Sequence, residues 1–118
     1  MEKEIDTLSH AIKQYGAPAQ TIKAIEEMSE LQKELCKHLA GKNNVSEIAE
    51  EIADVEIMLT QMTLIFGCAF EVIEWKKKKI DRLANRLRKE SDHEAENWKR
   101  QSAVSGGRRE RRGGLLAD

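Results

Sequence analysis

Three features predict an all-α fold for this 118-residue chain. Apolar residues recur at alternating three- and four-residue intervals through most of its length, the signature of helices with one buried face. Ala, Leu, Glu, Lys and Arg dominate, with a single proline, a composition that favours helix over strand. Glycine and asparagine fall where that periodicity breaks, as expected at helix ends. Charged residues make up 35% of the chain and aromatics 4%, so the helices should carry polar outer faces around a thin core. No strand and no internal repeat is predicted.

Taken in order, Ile5, Leu8, Ile12 and Tyr15 mark an amphipathic first helix that Gly16-Ala17-Pro18 ends. Pro18 suits the first turn of a second helix, where its missing N–H costs nothing. That helix carries Ile22, Ile25, Met28, Leu31, Leu35 and Leu39 and stops at Gly41, which can take a left-handed conformation. Asn44, with Glu47 three residues on, reads as a capping box for a third helix with the stripe Ile48, Ile52, Val55, Leu59, Met62 and Phe66. Gly67 predicts a break. A fourth helix follows from about Ala69 to Lys89, with Phe70, Ile73, Ile80, Leu83 and Leu87 on its apolar face. Ser91 and Glu94 repeat the capping pattern and predict a short fifth helix through Trp98. Residues 1–101 are thus expected to form one helical domain. Residues 102–118, rich in Ser, Gly and Arg, are expected to form a flexible basic tail.

A chain of this size buries a modest core, and association into a homodimer or homotetramer would enlarge it. No apolar run approaches the roughly 20 residues of a membrane span, and Met-Glu-Lys-Glu does not open a signal peptide. Two cysteines without metal-like spacing, Cys36 and Cys68, read as reduced packing residues of a cytoplasmic protein. The net charge of −1 conceals an uneven distribution: acidic clusters precede residue 57, and basic runs occupy Lys76–Lys79 and Arg108–Arg112. The latter is read as part of a solubilising tail rather than a nucleic-acid surface.

The acidic clusters carry the chemistry. Glu26-Glu27-Met28-Ser29-Glu30 and Glu50-Glu51-Ile52-Ala53-Asp54 each place carboxylates three residues apart, on one face of a helix. On a helical wheel, Glu51 falls inside the apolar arc of the third helix and Asp54 on its border, while Glu50 and Glu56 point elsewhere. On the second helix Glu27 borders the apolar arc, Glu30 and Glu34 continue an acidic edge, and Glu26 faces the polar side. A carboxylate within an apolar stripe is costly unless a cation or donor compensates it. Glu27, Glu30, Glu51 and Asp54, brought together by antiparallel packing, would form an oxygen-rich pocket of the kind that holds Mg²⁺.

Glu26-Glu27-x-x-Glu30, a 20-residue spacer and Glu51-x-x-Asp54 resemble the all-α nucleoside triphosphate pyrophosphohydrolases, the superfamily of MazG-like proteins and dimeric dUTPases. The resemblance covers roughly residues 5 to 90. It implies a MazG-like bundle of four main antiparallel helices. It also implies Mg²⁺ (Mn²⁺ can stand in) held by Glu27, Glu30, Glu51 and Asp54. The implied reaction is cleavage of a (d)NTP between the α- and β-phosphates to a nucleoside monophosphate and pyrophosphate, a housekeeping role on the nucleotide pool. Glu27 or Glu30 would take the proton of the attacking water. Lys79 and Arg82, with Lys76 as a further candidate, would meet the substrate phosphates. Relatives often carry Asn four positions after that Lys; here Leu83 stands there. The competing reading is a non-catalytic helical interaction module, in which the acidic clusters are surface charge.

The histidines His10, His38 and His93 lie outside any Glu-x-x-His pattern, which argues against a di-iron site. Trp75 is expected to cover a subunit interface, with stacking on a base as the alternative.

Overall fold

The computed structural model describes residues 2–104, and these residues are almost wholly helical with no strand among them. Four helices follow in order: α1 (Glu2–Tyr15), α2 (Ala17–Leu39), α3 (Val45–Phe66) and α4 (Ala69–Val104). The chain divides into two compact units, Met1–Ile73 and Glu74–Asp118, and α4 contributes to both.

In the first unit α2 and α3 form a helical hairpin, with α1 packed against both. Gly41 makes the turn possible. Its φ of 105° is a conformation that side-chain-bearing residues avoid, and it lets the Gly41 N–H reach the His38 carbonyl at 2.9 Å and the Lys42 N–H the Lys37 carbonyl at 3.1 Å. Those two bonds are the paired closure of a Schellman motif. Gly67 closes α3 in the same left-handed region, at φ 60°. Pro18 sits in the first turn of α2, where the sequence places it.

The register of the hairpin follows from two observed meetings: Asn44 touches Glu34, and Glu27 lies beside Glu51 and Asp54. The helices therefore run antiparallel, and a step of seven residues down α2 matches a step of seven along α3. Burial repeats with the same rhythm. On α2 Gln20, Ala24, Glu27, Leu31 and Glu34 are buried or half-buried, and so are Asn44, just before α3, and Ile48, Glu51, Val55, Met58, Met62 and Ile65 on it. Alternating spacings of four and three describe a coiled-coil-like seam. One heptad position of that seam on α2 is entirely polar: Gln20, Glu27, Glu34. Polar layers thus alternate with apolar ones along the hairpin.

The apolar core is correspondingly thin. Among the described residues the buried hydrophobic side chains are Leu8, Ala24 and Met58. Much of the stripe assigned to the second helix faces solvent instead: Ile22 and Ile25 are 58% and 60% exposed, and Leu39 86%. Tyr15, placed on the core face of α1, is also exposed. The seam is narrower than the stripe, so it takes one edge of each apolar face and leaves the other uncovered.

The second unit is described as residues 74–104 of α4, a helix that carries no buried residue. The short fifth helix does not form separately. Ser91 lies within an unbroken α4, because an exposed helix-interior serine costs only a few tenths of a kcal/mol and no Gly or Pro interrupts residues 69–104. Ser102–Val104 continue the helix beyond the boundary at 101, and the rest of the expected tail lies outside the described residues. No described helix is long and apolar enough to cross a membrane.

Candidate metal centre

One carboxylate from α2 and two from α3 converge at the middle of the hairpin. Glu27, Glu51 and Asp54 each offer an oxygen within 4.8 Å of the others, and all three side chains are half-buried. The seam explains the convergence. Glu27 and Glu51 occupy opposed seam positions, and Asp54 lies one turn along α3 from Glu51. Glu30, grouped with them on sequence, stays outside the cluster. It is exposed, with one oxygen 3.5 Å from Lys33 Nζ. Glu26 and Glu50 face solvent, as the wheel places them.

Crowding three acids raises their cost. Burial, then the hydrogen bond and charge of Asp54, push Glu27 above the ordinary glutamate value, against the partial relief of Lys23 at 3.7 Å and with a further push from Glu30. Glu51 is raised in the same direction by burial first, then by Asp54 and Glu27. A lysine at 3.7 Å whose own side chain is 55% exposed gives little compensation. The donor set is all carboxylate, hard and anionic, which fits Mg²⁺ or Mn²⁺ and not a thiolate- or imidazole-preferring metal.

This arrangement fixes a pH dependence. Carboxylates held above their unfolded value of about 4.3 bind protons more readily in the fold. Their protonation stabilises the metal-free protein as pH falls from neutrality through the raised range, and that stabilisation is lost as pH rises. Glu34 works in the opposite sense. Hydrogen bonds from Asn44 and Lys37 lower its pKa, so its contribution is present above about 4.3 and lost as pH falls through its depressed value. In EDTA the melting temperature should therefore rise as pH falls from neutrality toward about 4.3 and fall at lower pH. Saturating Mg²⁺ should remove the first limb, because a cation needs the ionised carboxylates. Calorimetric melts across pH, with and without Mg²⁺, check this.

Two turns from the triad, toward the loop, lies a second polar layer that sequence reasoning missed. Asn44 is 2% exposed. Its Nδ2 donates to the Glu34 carbonyl at 2.9 Å and to Glu34 Oε1 at 2.8 Å, while Lys37 Nζ donates to Glu34 Oε2 at 3.2 Å. The expected capping box is therefore absent. The Asn44 side chain makes no cap bond to α3, and only its backbone carbonyl receives the Ile48 N–H, at 3.0 Å. Among the described residues Asn44 Oδ1 is left buried without a partner, a cost of about 1–3 kcal/mol. The seven-residue spacing of Gln20, Glu27 and Glu34 is the sequence signal that could have found this layer.

Seven residues beyond Asp54 on α3 stands Gln61, 3% exposed, with Oε1 buried and unpartnered among the described residues. Replacing it with Met keeps the volume and removes the desolvated amide oxygen. Gln61→Met should gain about 1 kcal/mol of stability, read as a higher urea midpoint.

Lys76, Lys79 and Arg82 lie in the second unit, three residues apart along α4. Lys78 and Lys79 place their ammonium groups 5.3 and 5.8 Å from the centroid of the Trp75 ring, within cation–π range. Trp75 is half exposed. Cys36 is exposed and Cys68 half-buried, so the packing role expected of Cys36 does not hold.

No protein-family model matches this chain, and neither does any curated protein or solved structure.

Proposed function

We propose that this protein is a Mg²⁺-dependent nucleoside triphosphate pyrophosphohydrolase that cleaves (d)NTPs between the α- and β-phosphates. The observation that carries the reading is the convergence of Glu27, Glu51 and Asp54 within 4.8 Å, on carboxylates whose crowding a cation would relieve. Glu27, Glu51 and Asp54 would hold the ion. Glu30, one turn along from Glu27 and exposed, would join as a fourth ligand or accept the proton of the attacking water. When bound, Mg²⁺ supplies charge neutralisation at the phosphate oxygens and lowers the pKa of a coordinated water.

The protein's own part is to hold the acids. Glu51 and Asp54 are fixed one turn apart on α3, and Glu27 is presented from the opposite helix, so a ligand between them touches both arms of the hairpin. The sequence alone assigns Lys76, Lys79 and Arg82 to the phosphates, Lys79 and Arg82 by the resemblance and Lys76 by its place near the apolar arc of Leu83 and Leu87, and on that assignment Lys79→Ala raises KM with a smaller effect on kcat. Ile22, Ile25 and Leu39, exposed on the first unit, favour association of protomers into a homodimer or homotetramer. They also favour the second reading, a non-catalytic helical interaction module.

The test is incubation with a panel of (d)NTPs and Mg²⁺, with the products resolved. Nucleoside monophosphate and pyrophosphate are expected. Release of orthophosphate with a diphosphate, or no turnover of any substrate, overturns the enzyme reading. Sedimentation across concentration reads the association.

A further inference from the structure

We propose that Asn44, clasped to Glu34, is a positioning residue that sets the register of the α2–α3 hairpin and thereby brings Glu27 opposite Glu51 and Asp54. The inference builds on the metal-centre reading in its functional consequence, while its structural part stands by itself.

Without such a clasp, two packed helices have more than one register open to them. Apolar layers are tolerant of sliding by a whole layer, since a leucine packs nearly as well three or four residues along the seam. A hydrogen-bonded polar layer is not, because a slip leaves its donors and acceptors buried and unpaired; a single buried Asn in a helical seam is a well-attested register device. A slip of one such layer moves a side chain about 5 Å along the axis. Mg²⁺ demands oxygens at about 2.0–2.1 Å in near-octahedral order, so a slip of that size would dismantle the site.

Asn44 meets the requirements of such a device. It is almost fully buried and bonds across ten residues of sequence to both the backbone and the side chain of Glu34. The backbone bond ties it to a fixed point on α2 and not merely to a mobile carboxylate. The spacing is the decisive relation. Glu34 is seven residues after Glu27, and Asn44 is seven before Glu51. The clasp and the acidic centre are therefore successive polar layers of one seam, two turns apart, and fixing one fixes the other. The Gly41 turn limits the hairpin to nearby registers, and the clasp selects among them. Asn44 also gives up its usual service as a helix cap and leaves its own Oδ1 unpartnered among the described residues, concessions that local helix stability does not explain.

The test measures register and metal binding separately. In a Cys36→Ser, Cys68→Ser background, nitroxides at Glu26→Cys and Glu50→Cys, both exposed positions on the two arms, report the inter-helix distance by electron paramagnetic resonance. Asn44→Ala should broaden and shift that distance distribution. Glu34→Gln, which keeps an acceptor for Asn44, should leave it unchanged, and Glu34→Ala, which keeps only the backbone bond, should fall between. Titration with Mg²⁺ by calorimetry should show a 10–100-fold loss of affinity in Asn44→Ala, the range for residues that orient metal ligands, and less than about threefold in Glu34→Gln. If Asn44→Ala fails to fold by circular dichroism, Glu34→Ala against Glu34→Gln decides. An unaltered distribution in folded Asn44→Ala, or in Glu34→Ala when that variant must decide, overturns the proposal. Absence of Mg²⁺ binding by the unsubstituted protein overturns the metal reading instead, and the distance measurement still decides the clasp.

Discussion

Glu51→Gln should reduce Mg²⁺-dependent release of pyrophosphate by well over 100-fold. Outer-shell partners of a metal commonly contribute 10–100-fold, and Glu51 stands among the proposed ligands themselves. The change is nearly isosteric and removes one of three crowded negative charges, so the fold should survive it. With burial and the neighbouring Asp54 and Glu27 raising the Glu51 pKa, the metal-free variant should melt at a higher temperature than the parent at pH 7.5. A variant that is at once inactive and more heat-resistant separates loss of the site from loss of structure. Initial rates with pyrophosphate detection, alongside melts in EDTA, check both halves. Equal rates for parent and variant would show that the cluster takes no part in turnover.

Met58→Ala should be the most damaging single truncation for stability. Met58 is 4% exposed and is one of three buried hydrophobic residues among those described. Removing a buried Met side chain costs about 2–5 kcal/mol, against a total of about 5–15 kcal/mol for a folded domain. At about 4–8 °C per kcal/mol for a small domain, the melting temperature should drop by about 8 °C or more. Urea unfolding followed by circular dichroism gives the free energy. The same truncation at exposed Leu59, one residue on, should cost far less in a dilute monomer.

Much of this architecture is legible in the sequence, because helix ends are written in single residues. Gly16, Pro18, Gly41 and Gly67 each mark a boundary that the structure observes. The wheel likewise separates Glu27, Glu51 and Asp54 from Glu26 and Glu50. What it could not supply is the partner face. Glu30 and Glu34 lie on the same acidic edge of α2, yet only Glu34 is covered by the loop, since burial there depends on where Asn44 arrives. Asn44 followed by Glu47 has the form of a capping box, and tertiary contact with Glu34 overrides the local pattern. The Ser91–Glu94 pair failed for a simpler reason: a cap motif ends a helix only where something else has broken it, and nothing between residues 69 and 104 does. The uncovered Ile22, Ile25 and Leu39 show the same limit, because periodicity announces an apolar face without saying what lies against it.

The alternation of polar and apolar layers along the hairpin amounts to a trade of robustness for chemistry. Leucines at 27 and 51 would run Leu31, Ile48, Val55 and Met58 into a continuous hydrophobic ladder. Glu27→Leu with Glu51→Leu should raise the melting temperature of the metal-free protein and end all response to Mg²⁺, since replacing buried charge by packed hydrocarbon is commonly neutral or stabilising. On that outcome the native hairpin sits below the stability its length allows, with the shortfall at the residues proposed to act.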